Sequence, residues 1–156
     1  MFAIAIAKFL TGKDVEAANF LKLCGKLNYQ PEYGEELEKA WLLHAESYIK
    51  INKSDNAEDV LRNLLKENKS CGKAQELMGL IREKDLAYAD AAEFYEKAFD
   101  MTSRKAASIG YRLAYNYFKA KRYVECLEIC RQVTESHPNY TIIKTEIEEK
   151  AIMAIR

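Results

Sequence analysis

Tyr88-Ala-Asp-Ala91-Ala-Glu-Phe-Tyr95-Glu-Lys-Ala98 carries the spacing that decides the fold. Ala91, Tyr95 and Ala98 stand at i, i+4 and i+7, which puts all three on one face of a helix. The same constellation stands 34 residues upstream as Ala57, Leu61 and Leu64, and 35 residues downstream as Cys126, Cys130 and Val133. One helical unit therefore occurs at least three times, and a period of this length is the mark of a repeat architecture.

Working outward, each trio has an upstream companion. Trp41-x-x-His44-Ala45-x-x-Tyr48 precedes Ala57, Met78-Gly79 precedes Ala91, and Leu113-Ala114-x-x-Tyr117 precedes Cys126. A bulky residue, a small one, an aromatic three further on and a small residue twelve beyond that resemble the tetratricopeptide repeat (TPR) pattern, which Pro138, twelve residues after Cys126, completes. Close packing explains it. Small side chains at Ala45, Gly79, Ala114, Ala57 and Ala91 let the two helices of a unit approach, while Trp41, Tyr48, Tyr95 and Tyr117 fill the space to the next. The expected fold is all-α: a right-handed α-α superhelix (TPR solenoid) of about nine helices with a C-terminal capping helix.

Residues 1–34 read as a degenerate or partial helical pair and loop, with helices near 1–10 and 13–27 and Ala5, Ala17, Leu21 and Cys24 in repeat positions. The loop spans Leu27 to Glu36, where Asn28, Pro31 and Gly34 break any periodicity. Residues 35–140 hold three repeats, near 38–71, 72–105 and 107–140. Turns are read at Asn52 to Asp55, Lys84-Asp85 and Lys119 to Arg122, and Ser, Thr and Asn between repeats are natural N-caps. Residues 141–156 form the capping helix, with Ile143, Ile147, Ala151 and Ile155 on one stripe. Phe2, Ile4, Ile6 and Phe9 make an apolar start with no preceding repeat to cover it, so a longer superhelix or a partner is expected there, and self-association through this helix is one candidate.

The 156 residues hold 24 acidic and 24 basic side chains, so no global field draws the chain to nucleic acid. Only two prolines and six glycines interrupt a 49% apolar chain, which argues for a packed helical core. The apolar start lacks a basic leader and meets Lys8, so it is a poor signal peptide and too short to span a bilayer. A cytoplasmic protein is expected, without direct membrane insertion.

No phosphate loop, nucleophile elbow or zinc-protease motif occurs, so no enzyme activity, cofactor or metal is expected. Cys126 and Cys130, four apart, have half the spacing of a metal site but occupy packing positions, and free Cys behaves as a small buried hydrophobe. His44 takes a core position and is read as packed rather than catalytic; His137, before Pro138, is read as solvent-exposed. The carboxylate clusters at Glu35, Glu36 and Glu38 and at Glu146, Glu148 and Glu149 are solvated faces with ordinary lysine pairing. Tyr48, Tyr95 and Tyr117 belong to the core. Tyr111 and Tyr115, four apart, divide between core and interface; with Lys119, Lys121 and Arg122 they are the candidate partner-binding residues.

Several stretches exceed the generic repeat: Asn68-Lys-Ser-Cys-Gly-Lys-Ala74, Glu76-Leu-Met-Gly-Leu-Ile-Arg-Glu-Lys84, Tyr88 to Ala98, and Gly110-Tyr-Arg-Leu-Ala-Tyr-Asn-Tyr-Phe-Lys-Ala-Lys-Arg-Tyr-Val124. In order, with His137-Pro-Asn-Tyr140, they resemble the carboxy-terminal end of the tetratricopeptide repeat protein 21 family, the large TPR subunit of intraflagellar transport complex A. The resemblance covers about residues 35–156. It implies a non-enzymatic scaffold of the retrograde ciliary train, with subunits of that complex as partners and the cilium or flagellum and its base as the location. It also implies a longer solenoid, since family members are several times the length of this chain. The alternative is a generic TPR adaptor, such as a co-chaperone-like peptide-binding module.

Overall fold

The computed structural model describes residues 34–156, with side chains from residue 38 onward, and every regular element among them is helical. They are α1 (Gly34–Lys50), α2 (Ser54–Glu67), α3 (Gly72–Lys84), α4 (Tyr88–Met101), α5 (Ala107–Lys119), α6 (Tyr123–Ser136), and a terminal helix in which a π-helical segment, Lys144–Glu148, runs into α7 (Glu149–Ile155). Seven helices thus stand among the described residues against about nine expected. The two helices expected near 1–10 and 13–27, with Ala5, Ala17, Leu21 and Cys24, lie outside them. The loop expected over Leu27 to Glu36 ends earlier than its sequence suggested, for α1 already begins at Gly34; its other residues lie outside the described ones.

The chain divides into two units, residues 1–77 and 78–156. In the first, α1 packs on α2. Only residues 51–53 join them, so they run antiparallel. Ala45 and Ala57 are wholly buried, with Leu61 and Leu64, beside nearly buried Trp41 and Tyr48. Asn68 Nδ2 donates to Glu38 Oε2 at 2.9 Å, tying the residue after α2 back to α1.

In the second unit α4 packs on α5, α5 on α6, and α6 on the terminal helix. One continuous cluster holds Ala91, Tyr95, Ala98 and Phe99 of α4, Leu113, Ala114 and Tyr117 of α5, Cys126, Cys130 and Val133 of α6, and Ile143, Ile147 and Ala151. Burial of this size is the main favourable term in the fold. Pro138 stands exposed in the connection after α6.

The period is also written in the backbone. Asn52, Leu86 and Lys121, each two residues past the first helix of a pair, have φ of 60°, 60° and 63°. After each, an N–H reaches back five residues: Lys53 to Tyr48 O at 2.8 Å, Ala87 to Arg82 O at 2.9 Å and Arg122 to Tyr117 O at 2.9 Å. This left-handed closure is the usual way to end a helix and reverse the chain. None of the three is glycine, so composition does not betray the turn.

Two expectations need correction. Between the second and third repeats the N-cap residue of α5 is Ala106 rather than Thr102 or Ser103, and it makes no side-chain cap bond. Helix entry follows instead from the preceding loop, whose last carbonyl accepts the first helical bond, as Ala106 O does from Gly110 N–H at 3.0 Å. Thr102 works inside its loop: its Oγ1 donates to Phe99 O at 2.8 Å and accepts from Ala106 N–H at 3.4 Å.

The second concerns the terminal stripe. Ile143, Ile147 and Ala151 are buried, but Ile155 is 54% exposed, as are Ile142, Ile152 and Met153 to 49, 38 and 65%. A four-residue step outruns the 3.6-residue turn by about 40°. The π-helical segment absorbs that drift over Lys144–Glu148. Regular α-helix then resumes and carries Ile155 off the face.

Candidate protein-binding cleft

α5 has two faces with different duties. Leu113, Ala114 and Tyr117 turn into the core. Ser108, Tyr111, Arg112 and Tyr115, at i, i+3, i+4 and i+7, form an outward stripe. That stripe joins Glu83, near the end of α3, and Tyr140, beyond α6, around a cleft of about 430 Å³.

The cleft has a hydrogen-bonded base. Tyr95, fully buried, donates its hydroxyl to Glu83 Oε2 at 3.1 Å. Asn116 Nδ2 donates to the same oxygen at 3.2 Å and to Arg112 O at 2.7 Å. Arg112 Nη1 donates to the Tyr95 hydroxyl at 3.4 Å, so one phenol bridges the carboxylate and the guanidinium. Burial, opposed by the Arg112 hydrogen bond and helped by Glu83, pushes the Tyr95 phenol well above its ordinary range. It therefore remains a donor and holds Glu83 in place.

The walls are aromatic. Tyr111 meets Tyr140 edge to face, centroids 6.5 Å apart and planes 78° apart, and Tyr88 meets Tyr115 at 6.5 Å and 80°. Such edge-on pairs are a favoured ring arrangement and restrain both partners. Burial, then the Glu146 carboxylate, raises the Tyr111 phenol. Lys119 Nζ lies 5.6 Å from the Tyr115 centroid, at the rim.

The candidate residues thus separate. Tyr111, Tyr115 and Lys119 come together, while Lys121 sits exposed in the α5–α6 turn. Arg122 stacks 5.0 Å from the Tyr117 ring and donates to Glu125 Oε1 from Nη2 at 3.0 Å. It adjoins a second hollow of about 300 Å³ lined by Glu96, Arg104, Tyr117, Val124 and Glu125 among others. The basic run is therefore split, because the left-handed turn at Lys121 reverses the chain between Lys119 and Arg122. Ser108 and Arg112 were missed, although helical spacing from Tyr111 and Tyr115 marks their face. Glu83 and Tyr140 carry no local signal, for they reach the cleft from other elements.

Other candidates behave as core. His44 is 2% exposed, its ring 4.4 Å from that of Tyr48, a packed position closed to substrate. Cys126 and Cys130 are fully buried, and the hydrogen bond with Cys126, then burial, pushes the Cys130 thiol well above its ordinary range. Among the described residues no group of three or more His, Cys, Asp and Glu is placed to hold a metal ion. No described helix is long and apolar enough to cross a membrane. His137 corrects its expectation. It is half-buried rather than exposed, because it ends α6 with its N–H bonded to Val133 O at 2.8 Å.

Comparison with known proteins places this geometry. The family model described as the tetratricopeptide repeat protein 21 C-terminal ARM domain matches residues 1–152. The chain is 45% identical over its whole length to human tetratricopeptide repeat protein 21B, 40% to mouse tetratricopeptide repeat protein 21A and 39% to the Caenorhabditis elegans homolog. In each case it spans 12% of the relative's length. Among solved structures, a MamA double mutant superposes with a TM-score of 0.74 over 97% of this chain and 86% of its own, at 16% identity. The C-terminal part of a TPR repeat-containing protein from Cytophaga hutchinsonii gives a TM-score of 0.52 over 92% of this chain and 67% of its own, at 19% identity. Both likenesses concern the fold, a helical solenoid. The matching family is described as an ARM domain, whereas the packing of α1 on α2 and of α5 on α6 is the helix pairing of a TPR; both are helical-repeat solenoids.

Proposed function

The chain belongs to the tetratricopeptide repeat protein 21 family, and on that premise we propose that it is a non-enzymatic protein-binding part of intraflagellar transport complex A, serving retrograde ciliary transport and the entry of ciliary cargo. Its working places are the cytoplasm and the cilium or flagellum with its base, and its partners are other subunits of that complex. The observation that carries the binding role is the cleft on α5, where Tyr111, Tyr115 and Tyr140 line a hollow whose base is held by Tyr95 and Asn116. Tyrosines that present area and a polar handle at little entropic cost suit a protein interface.

The same cleft weighs against the adaptor reading. A clamp for an acidic tail needs converging cations, yet here Glu83 lines the cleft with Arg112. A carboxylate in that position repels an acidic tail.

Affinity capture from ciliated cells, with the chain tagged in its natural full-length context, tests the proposal. Subunits of transport complex A are expected in the capture, reduced by Tyr111→Ala with Tyr115→Ala. Recovery of chaperones in their place would establish the adaptor instead.

A further inference from the structure

We propose that this cleft takes an uncharged, proline-containing segment of a partner in extended polyproline II conformation. The inference rests on the reading of the cleft as a protein-binding site and names the chemistry of its occupant.

The tyrosines of this unit fall into two groups. Tyr95 and Tyr117 are core, and each spends its hydroxyl on a carboxylate, Glu83 and Glu96 respectively. Tyr111, Tyr115 and Tyr140 are half-buried in the cleft walls, and no hydrogen bond joins their hydroxyls to another described residue. Ser108, exposed at the cleft edge, adds a fourth hydroxyl that no other described residue bonds. One hollow therefore offers four neutral hydroxyl donors among aromatic rings.

The backbone conformation of the occupant decides whether those donors are useful. A bound helix satisfies its own carbonyls, and a strand needs a ladder of alternating N–H and C=O that a helical wall does not supply. A polyproline II segment makes no internal hydrogen bonds, so its carbonyls need donors, and its rings pack on aromatic faces. The edge-to-face pairs Tyr111–Tyr140 and Tyr88–Tyr115 hold their rings nearly perpendicular, at 78° and 80°, and so set aromatic surface at the cleft for such rings to pack on.

Charge points the same way. The two charged lining residues, Glu83 and Arg112, are of opposite sign and share the Tyr95 hydroxyl. At the rim Lys150 Nζ lies 3.5 Å from Glu146 Oε2, and Lys119 sits over the Tyr115 ring. Neither an acidic nor a basic peptide meets a field of one sign here.

The test titrates the 156-residue chain with acetyl-Ala-Pro-Pro-Ala-Pro-Pro-Ala-amide and follows tyrosine ring resonances by NMR. Comparators are the all-alanine peptide and one with glutamates in place of prolines. The proline peptide should shift Tyr111, Tyr115 and Tyr140 and bind at least about tenfold more tightly than either comparator. Its affinity should change less than about twofold between low and physiological salt. Tyr111→Phe with Tyr115→Phe keeps the rings and removes two donors, and should weaken binding by about threefold or more with the helical signal unchanged. Equal or tighter binding of a comparator, or no binding, overturns the inference. If the proline peptide fails while capture of a natural partner still depends on Tyr111 and Tyr115, this inference alone falls. If capture ignores both tyrosines, the cleft reading falls with it.

Discussion

Gly79 lies flat against the ring of Tyr95: a β-carbon at residue 79 would stand 3.1 Å from Cδ2, Cε1 and Cε2 together. The ring has no room to retreat, being fully buried with its hydroxyl held between Glu83 and Arg112. The small residue of the repeat is thus a close approach between α3 and α4.

Gly79→Ala should therefore destabilise the chain. Helix propensity alone favours alanine by about 1 kcal/mol. Overpacking a buried ring costs about 1–3 kcal/mol, so a net loss of about 1 kcal/mol is expected in urea unfolding. Gly110 is tighter still, since a β-carbon there runs into Val133 Cγ2 and stands 3.2 Å from Phe99 Cζ. Gly110→Ala should lose more than Gly79→Ala, and the reverse order would contradict this packing.

Ala91→Leu probes the trio itself. Ala91 has no exposed surface, so the added methylenes should cost about 1–3 kcal/mol. Glu149→Ala on the outer face of the terminal helix should change stability by less than about 0.5 kcal/mol. Equal melting temperatures for the two variants would contradict the helical register.

Leu86 offers a gain. It holds φ 60° in the α3–α4 turn with 69% of its surface exposed, so its side chain contributes little and its backbone is strained. Leu86→Gly should stabilise by about 0.5–1 kcal/mol after the extra freedom of glycine in the unfolded chain is counted. Leu86→Val, β-branched at positive φ, should destabilise. Calorimetry of the three proteins orders them.

Alkaline pH should unfold this chain through its core tyrosines. Burial raises the Tyr95 and Tyr117 phenols above the ordinary value of 10.0, and the carboxylates of Glu83 and Glu96 add to it. A raised folded value means the stabilisation is complete below the unfolded pKa and is lost as pH rises through the folded one. Above about pH 10 the unfolded chain releases protons that the folded chain keeps, so stability falls with pH. Tyr95→Phe should flatten that fall. An identical slope in wild type and variant would separate Tyr95 from the effect.

The repeat was legible because it is a packing rule. Residues at i, i+4 and i+7 share a helix face wherever the helix lies, so Ala57, Ala91 and Cys126 declare buried faces from spacing alone. Cys126 and Cys130 follow the same rule and are fully buried on the α6 face. The turns were only half legible, because Asn52, Leu86 and Lys121 adopt the left-handed conformation without the glycine that usually announces it. The N-cap expected before α5 was misjudged because Ala106 stands there and its backbone carbonyl takes the first helical bond from Gly110 N–H.

By itself the sequence determined the helical class, the period, the core tyrosines and the family, since each depends on neighbours along the chain or on ordered motifs. Only the tertiary structure decided the cleft. Glu83, Asn116 and Tyr140 are brought together by three different parts of the chain, and no local pattern encodes their meeting. Helix packing also set Gly110 against Val133, and the left-handed turn at Lys121 split Lys119 from Arg122. Side chains take their duties from what the fold places opposite them.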